Sequence, residues 1–190
     1  MRLYYTISSG TGNEQPNVDR SLGGFRSATP VTNDDFGNLF DEVSVMSIRS
    51  GRDEYRALVL RNEDSVAHRN IRISMKPHTE DAVCSYKMAA VQMEVADKYG
   101  NKKMENVLSP YSKPFKAQFV EMTADARVTV PELKPEEEVG LWICRHIDSE
   151  KAKQNYNDVA EPDPTDPTGR RYRPVTHPKE ESFDIIFEWQ

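Results

Sequence analysis

The sequence predicts an all-β fold: an immunoglobulin-like β-sandwich with an extended N-terminal arm and a long insert before its last strand. Three observations lead there. Short apolar runs are punctuated by turn residues along most of the chain, with little helical periodicity. The stretch Val128–Ile143 reads as strand, corner, strand, with Leu133-Lys134-Pro135 reversing the chain, as between the fifth and sixth strands of many sandwiches. A proline-rich polar run from Asp148 to Ser182 separates two of the best strand candidates, Val139–Arg145 and Phe183–Gln190.

Residues 1–40 read as the arm. Leu3–Ile7 suits a short strand, because Tyr and Thr fit a pleated surface. Turn formers then dominate: Gly10-Thr11-Gly12-Asn13, Pro16-Asn17, Gly23-Gly24 and Thr29-Pro30. The apolar residues between them are too few to form a core of their own. Leu22, Phe25, Phe36 and Phe40 are the expected anchors of this arm on a neighbouring molecule.

The body is expected over 41–190. Val43, Val45 and Ile48 suggest a first strand. Ala57-Leu58-Val59-Leu60 within Tyr55–Arg61 is a continuous apolar run, the mark of a central strand covered on both faces. Asn62–Ser65 is a turn. Ile71, Ile73 and Met75 alternate with Arg72, Ser74 and Lys76, the period of a half-buried strand, and Pro77 stops it. Val83–Met93 is read as a further strand, Asp97–Asn101 as a turn and Asn106–Pro114 as an irregular crossing. Phe115, Ala117 and Phe119 then share a face of the next strand. Arg127–Val130 is a short strand ended by Pro131. Phe183, Ile185, Phe187 and Trp189 share a face of the last strand, which is expected to pair with Val139–Arg145. On that pairing the insert is the tip of a long hairpin.

The insert, 148–182, carries acidic residues first and a basic aromatic tip later. Long loops in compact domains usually serve contact. A surface with both signs can meet a copy of itself in a ring. Arg170, Arg171, Tyr172 and Arg173 are its expected contact residues, since Arg and Tyr are enriched at interface hot spots.

Composition bounds the function. The chain has 190 residues, 37% of them hydrophobic and 29% charged, with 12 prolines, so part of it is solvated or buried only against other chains. The mean hydropathy is -0.74. A net charge of -6 argues against general affinity for nucleic acid, leaving at most a local basic contact. The two cysteines, Cys84 and Cys144, lie in strand-like runs and read as buried reduced thiols. Neither a secretory leader nor a membrane-spanning run is recognised. The four histidines form no metal-ligand spacing, and no phosphate loop or nucleophile elbow is present. The expectation is a protein that acts by assembly, without catalysis and without a cofactor. The alternative is a carbohydrate- or receptor-binding sandwich module, with Tyr111, Tyr156 and Tyr172 as stacking candidates.

Several stretches resemble a known family. Leu3-Tyr4-Tyr5-Thr6, Ser21–Val31 (Ser-Leu-Gly-Gly-Phe-Arg-Ser-Ala-Thr-Pro-Val) and Asn38–Ser44 look like the opening of a virion structural protein of crAss-like and related tailed bacteriophages. The similarity extends through Tyr55–Asn62 and Val139–Ile143. The resemblance implies a small β protein in a symmetric ring of the neck or tail, stacked on the portal or on neighbouring rings. It implies a chain assembled in the host cytoplasm and located in the virion, and it carries over no active site.

Overall fold

The computed structural model describes residues 1–33, 38–78, 83–150 and 181–190. It is an all-β, sandwich-like fold of two antiparallel sheets. Strands β1 (Arg2–Ile7), β2 (Gly23–Pro30), β3 (Arg52–Arg61), β5 (Cys84–Val91), β6 (Glu94–Val95), β7 (Lys102–Asn106), β8 (Val120–Glu121) and β10 (Glu138–Ile147) build the large sheet. Strands β4 (His68–Pro77), β9 (Val128–Leu133) and β11 (Phe183–Glu188) build the small one. The large sheet runs β6-β7-β2-β1-β3-β10-β5-β8, and the small sheet runs β11-β4-β9.

The centre is the antiparallel pair β3–β10, in register from Glu138↔Arg61 to Ile147↔Arg52. Both strands are buried on both faces, as the continuous apolar run Ala57–Leu60 predicts for β3. Leu58, Leu60, Leu141 and Ile143 point into the core between the sheets. There they meet Ile71, Ile73 and Met75 of β4 and Val128 and Val130 of β9. Tyr55, Ala57, Val59, Trp142 and Cys144 point the other way, into a second core with Met93, Met104, Val107 and Ala117. Full burial of each large apolar side chain is worth about 1.5–3 kcal/mol, so this two-sided pair anchors the fold.

The second core exists because the large sheet curls. Met104 of β7 stands four places from β10 in the strand order, yet a Cβ on Gly140 of β10 would lie 3.0 Å from its Sδ. Glycine at 140 leaves the room that Met104 and Val91 fill.

Five expectations are corrected. Residues 1–33 do not form an arm outside the body. β1 pairs with β3 from Arg2↔Arg61 to Tyr5↔Leu58, and β2 pairs with β1 and β7. What holds this segment is mostly polar. Thr6 and Ser21 are fully buried. The Ser21 hydroxyl donates to the Ala57 carbonyl at 2.5 Å and accepts from the Thr6 amide at 2.8 Å. The buried Gln15 amide donates to the Thr6 carbonyl at 2.8 Å.

The stretch expected as a first strand forms helix α1 (Val45–Ser50) instead. Ser44 caps it by accepting from the Ser47 amide at 3.2 Å, and Gly51, at φ 64, ends it. Phe115–Phe119 is not a strand; only Val120–Glu121 pairs, with Met88 and Lys87 of β5.

Finally, β11 does not pair with β10. It joins β4 in the other sheet, Phe183↔Pro77 to Glu188↔Arg72. The connection from β10 to β11 therefore passes from one sheet to the other and closes no hairpin. β9 continues through Pro131, which an edge strand tolerates.

Candidate interaction surface

The segment 107–119 is a strap across the concave side of the curled sheet. The Val107 amide donates to the Leu22 carbonyl at 2.9 Å, and the Tyr55 amide to the Pro110 carbonyl at 2.6 Å. The Phe115 and Lys116 amides both donate to the Glu105 carboxylate at 2.9 Å. Val107, Pro114 and Ala117 face down and are buried. Leu108 and Phe115 face out, 96% and 93% exposed, and Tyr111 is 53% exposed. A strap fixed by this many backbone bonds has no need of two exposed apolar side chains for its own folding. Isolated exposed apolar residues are ordinary; here two large ones stand almost fully exposed on one secured segment, a candidate contact surface.

The residues expected as arm anchors fall differently. Leu22 is half-buried against the second core, below the strap. Phe25 is half-buried in β2, in register with Ile7 and Lys103. Phe40 lies between two guanidinium groups, Arg145 at 4.6 Å and Arg56 at 5.3 Å from its ring centroid, with Tyr86 and Phe183 beside it. Leu22 and Phe40 thus serve this chain's own packing. Phe36 and Arg170, Arg171, Tyr172 and Arg173 lie outside the described residues, as do Tyr156 and most of the insert.

Phe40 covers a buried charge cluster at one end of the sandwich. Arg145 donates through Nε to Glu54 at 3.2 Å and through Nη2 to the same carboxylate oxygen, while its Nη1 reaches the Asp41 carbonyl at 2.7 Å. Arg56, 4% exposed, pairs with Asp19. Burial, and then the neighbouring Asp19 carboxylate, holds the Asp41 carboxyl above its ordinary value. Such a cluster locks the packing around Phe40.

One further polar group lies beside the strap. His146 Nδ1 is 2.6 Å from Asp53 Oδ1, and the Tyr55 hydroxyl donates to Asp53 Oδ2 at 3.1 Å. Cys144 shares this face of β10 with His146, as the alternation predicts. Burial, reinforced by the Asp53 charge, pushes its thiol up to about 11, so it is protonated and unreactive at neutral pH. Among the described residues no group of three or more His, Cys, Asp or Glu could hold a metal ion. Among them, too, no helix is long and apolar enough to cross a membrane.

Comparison with protein-family models, with curated proteins and with solved structures gives no match to this chain.

Sequence reasoning missed Leu108 and Phe115. Leu108 lies in a stretch read only as irregular, and Phe115 in one read as a strand, sharing a face with Ala117 and Phe119. The one signal available was a proline near each: Leu108 precedes Ser109-Pro110 and Phe115 follows Pro114, and prolines there keep the segment out of a ladder.

Proposed function

We propose that this chain is a non-enzymatic structural subunit of a tailed-phage virion, a ring component of the head–tail connector, neck or tail. Its role on this reading is assembly: a rigid sandwich offers the strap to a second copy in a symmetric ring and to neighbouring virion proteins. The observation that carries the reading is the near-complete exposure of Leu108 and Phe115 on a strap whose backbone is secured at Glu105, Leu22 and Tyr55. Burying two such side chains in a subunit contact yields about 3–6 kcal/mol before the cost of association. Closing a ring multiplies modest contacts. The sequence resemblance to phage virion proteins supplies the kind of particle.

The carbohydrate-binding alternative draws less support. Tyr111 already has the Arg52 guanidinium 4.4 Å from its ring centroid, which occupies a face that a sugar would stack on.

The test is incorporation. An epitope-tagged chain supplied during infection should appear by immunogold labelling in a ring at the head–tail junction or along the tail of purified particles. Particles of normal morphology that never contain the chain would sink the proposal.

A further inference from the structure

Among the described residues the two sheets end in four edges, and three of them are blunted. β6 and β8 have two residues each, and β9 carries Pro131. Short strands and prolines are how soluble sheets avoid pairing with other chains. β11 is different: it has six residues, Phe-Asp-Ile-Ile-Phe-Glu, with no proline and no bulge against β4.

The ladder shows which way its backbone faces. The His78 amide donates to the Ser182 carbonyl at 2.9 Å. In an antiparallel pair, bonded and non-bonded residue pairs alternate. Asp184, Ile186 and Glu188 therefore direct their backbone groups toward β4, while Phe183, Ile185 and Phe187 direct theirs to the outer edge. Pro77, which has no N–H, stands opposite Phe183, where the alternation requires none. Among the described residues no strand pairs with that outer edge.

The side chains specify what would fit there. Phe183, Ile185 and Phe187 face the core but are only half-buried, because the sheet stops beside them. On the outward face, Asp184 and Glu188 have Lys76 and Arg72 opposite them on the β4 side. An incoming strand would extend the apolar row on one face and on the other meet the carboxylates of Asp184, which also pairs with His78 Nε2 at 2.8 Å, and of Glu188, with Ile186 between them. Self-pairing of β11 with a second copy would gather four carboxylates on one face, which like-charge repulsion disfavours.

We propose that β11 is a strand-addition site for an extended segment of a partner polypeptide in which apolar residues alternate with Lys or Arg. This goes beyond the assembly reading and does not depend on it, since the edge would accept such a segment whatever the particle.

The experiment uses the full chain and two blocked synthetic peptides, one alternating valine with lysine and one alternating valine with glutamate. Binding is read by fluorescence anisotropy, and the edge by amide hydrogen exchange at Phe183, Ile185 and Phe187. The valine–lysine peptide should bind and slow exchange at those three amides, and the valine–glutamate peptide should bind about tenfold more weakly. In the exposed-face variant Asp184→Lys, Glu188→Lys the preference should reverse. Failure of both peptides to bind the wild-type chain overturns the proposal. So does slow exchange at the three amides in the dilute free chain, which would mean that the chain covers its own edge. Protection that rises with protein concentration alone would assign the edge to a second copy and also overturns it.

Discussion

Gly23 of β2 lies against the backbone of Glu105 so closely that a Cβ there would sit 2.9 Å from the Glu105 carbonyl carbon and closer still to its oxygen. Its φ of 95 is one that side-chain-bearing residues rarely adopt. Both obstacles are backbone, so neither yields by a rotamer change. Gly23→Ala should destabilise the isolated chain by at least about 3 kcal/mol, read as a lower urea midpoint. An unchanged midpoint would show that β2 is detached from the body after all.

The Glu54–Arg145 pair is buried on both sides, with side chains 7% and 4% exposed. Removing one partner strands the other charge. Glu54→Leu should therefore cost about 3–5 kcal/mol, while the double variant Glu54→Leu, Arg145→Met should recover most of it. Thermal melts of the two variants separate these outcomes; equal losses in both would mean that the pair is not coupled.

Neither thiol should react in the native chain. Cys144 is 1% exposed and Cys84 6% exposed. Burial raises both thiols, to about 11 for Cys144 and further for Cys84, where the Glu181 carboxylate adds to it. A disulfide reagent in mildly alkaline buffer should label neither until denaturant is added. Rapid labelling of the folded chain at Cys144 would show that the strap opens.

Asp64 accepts from His68 Nε2 at 2.6 Å, and this bond holds its carboxyl below the ordinary value of 3.8. A carboxyl lowered on folding contributes stability above its unfolded value, and that contribution is lost as pH falls through the folded value. Asp64→Asn should thus be less stable than wild type at neutral pH and should converge with it in strong acid. Urea midpoints across that range check the sign; a gap that widens on acidification contradicts it.

The legible part of the fold was its apolar strands. Ala57–Leu60 announced a central strand covered on both faces, Val139–Ile143 announced a strand though not its pairing with β3, and Ile71, Ile73 and Met75 announced β4 by strict alternation. What escaped were elements held by other forces. Thr6, Gln15 and Ser21 bury hydrogen-bonding groups in place of apolar area, so hydropathy made β1 and β2 look like an arm. Val43, Val45 and Ile48 fit neither period cleanly, and the helix there is set by the Ser44 cap and the Gly51 stop. β11 has the alternation of a half-buried strand, but alternation is silent on which strand lies beside it. For the candidate interaction surface, the apolar residues concerned are those the strap holds outward, and exposure cannot be read from residue type. Arg56 and Arg145 show the converse: charged residues in strand runs, buried because Glu54, Asp19 and the Phe40 ring complete them.

Sedimentation velocity on the wild-type chain and on Leu108→Asp, Phe115→Asp, over a range of concentrations, tests the central claim most directly. The account predicts that wild type self-associates into a closed species of defined size, while the double variant stays monomeric with an unchanged melting temperature. A variant that associates as wild type does would contradict it, as would a wild-type chain that remains monomeric throughout.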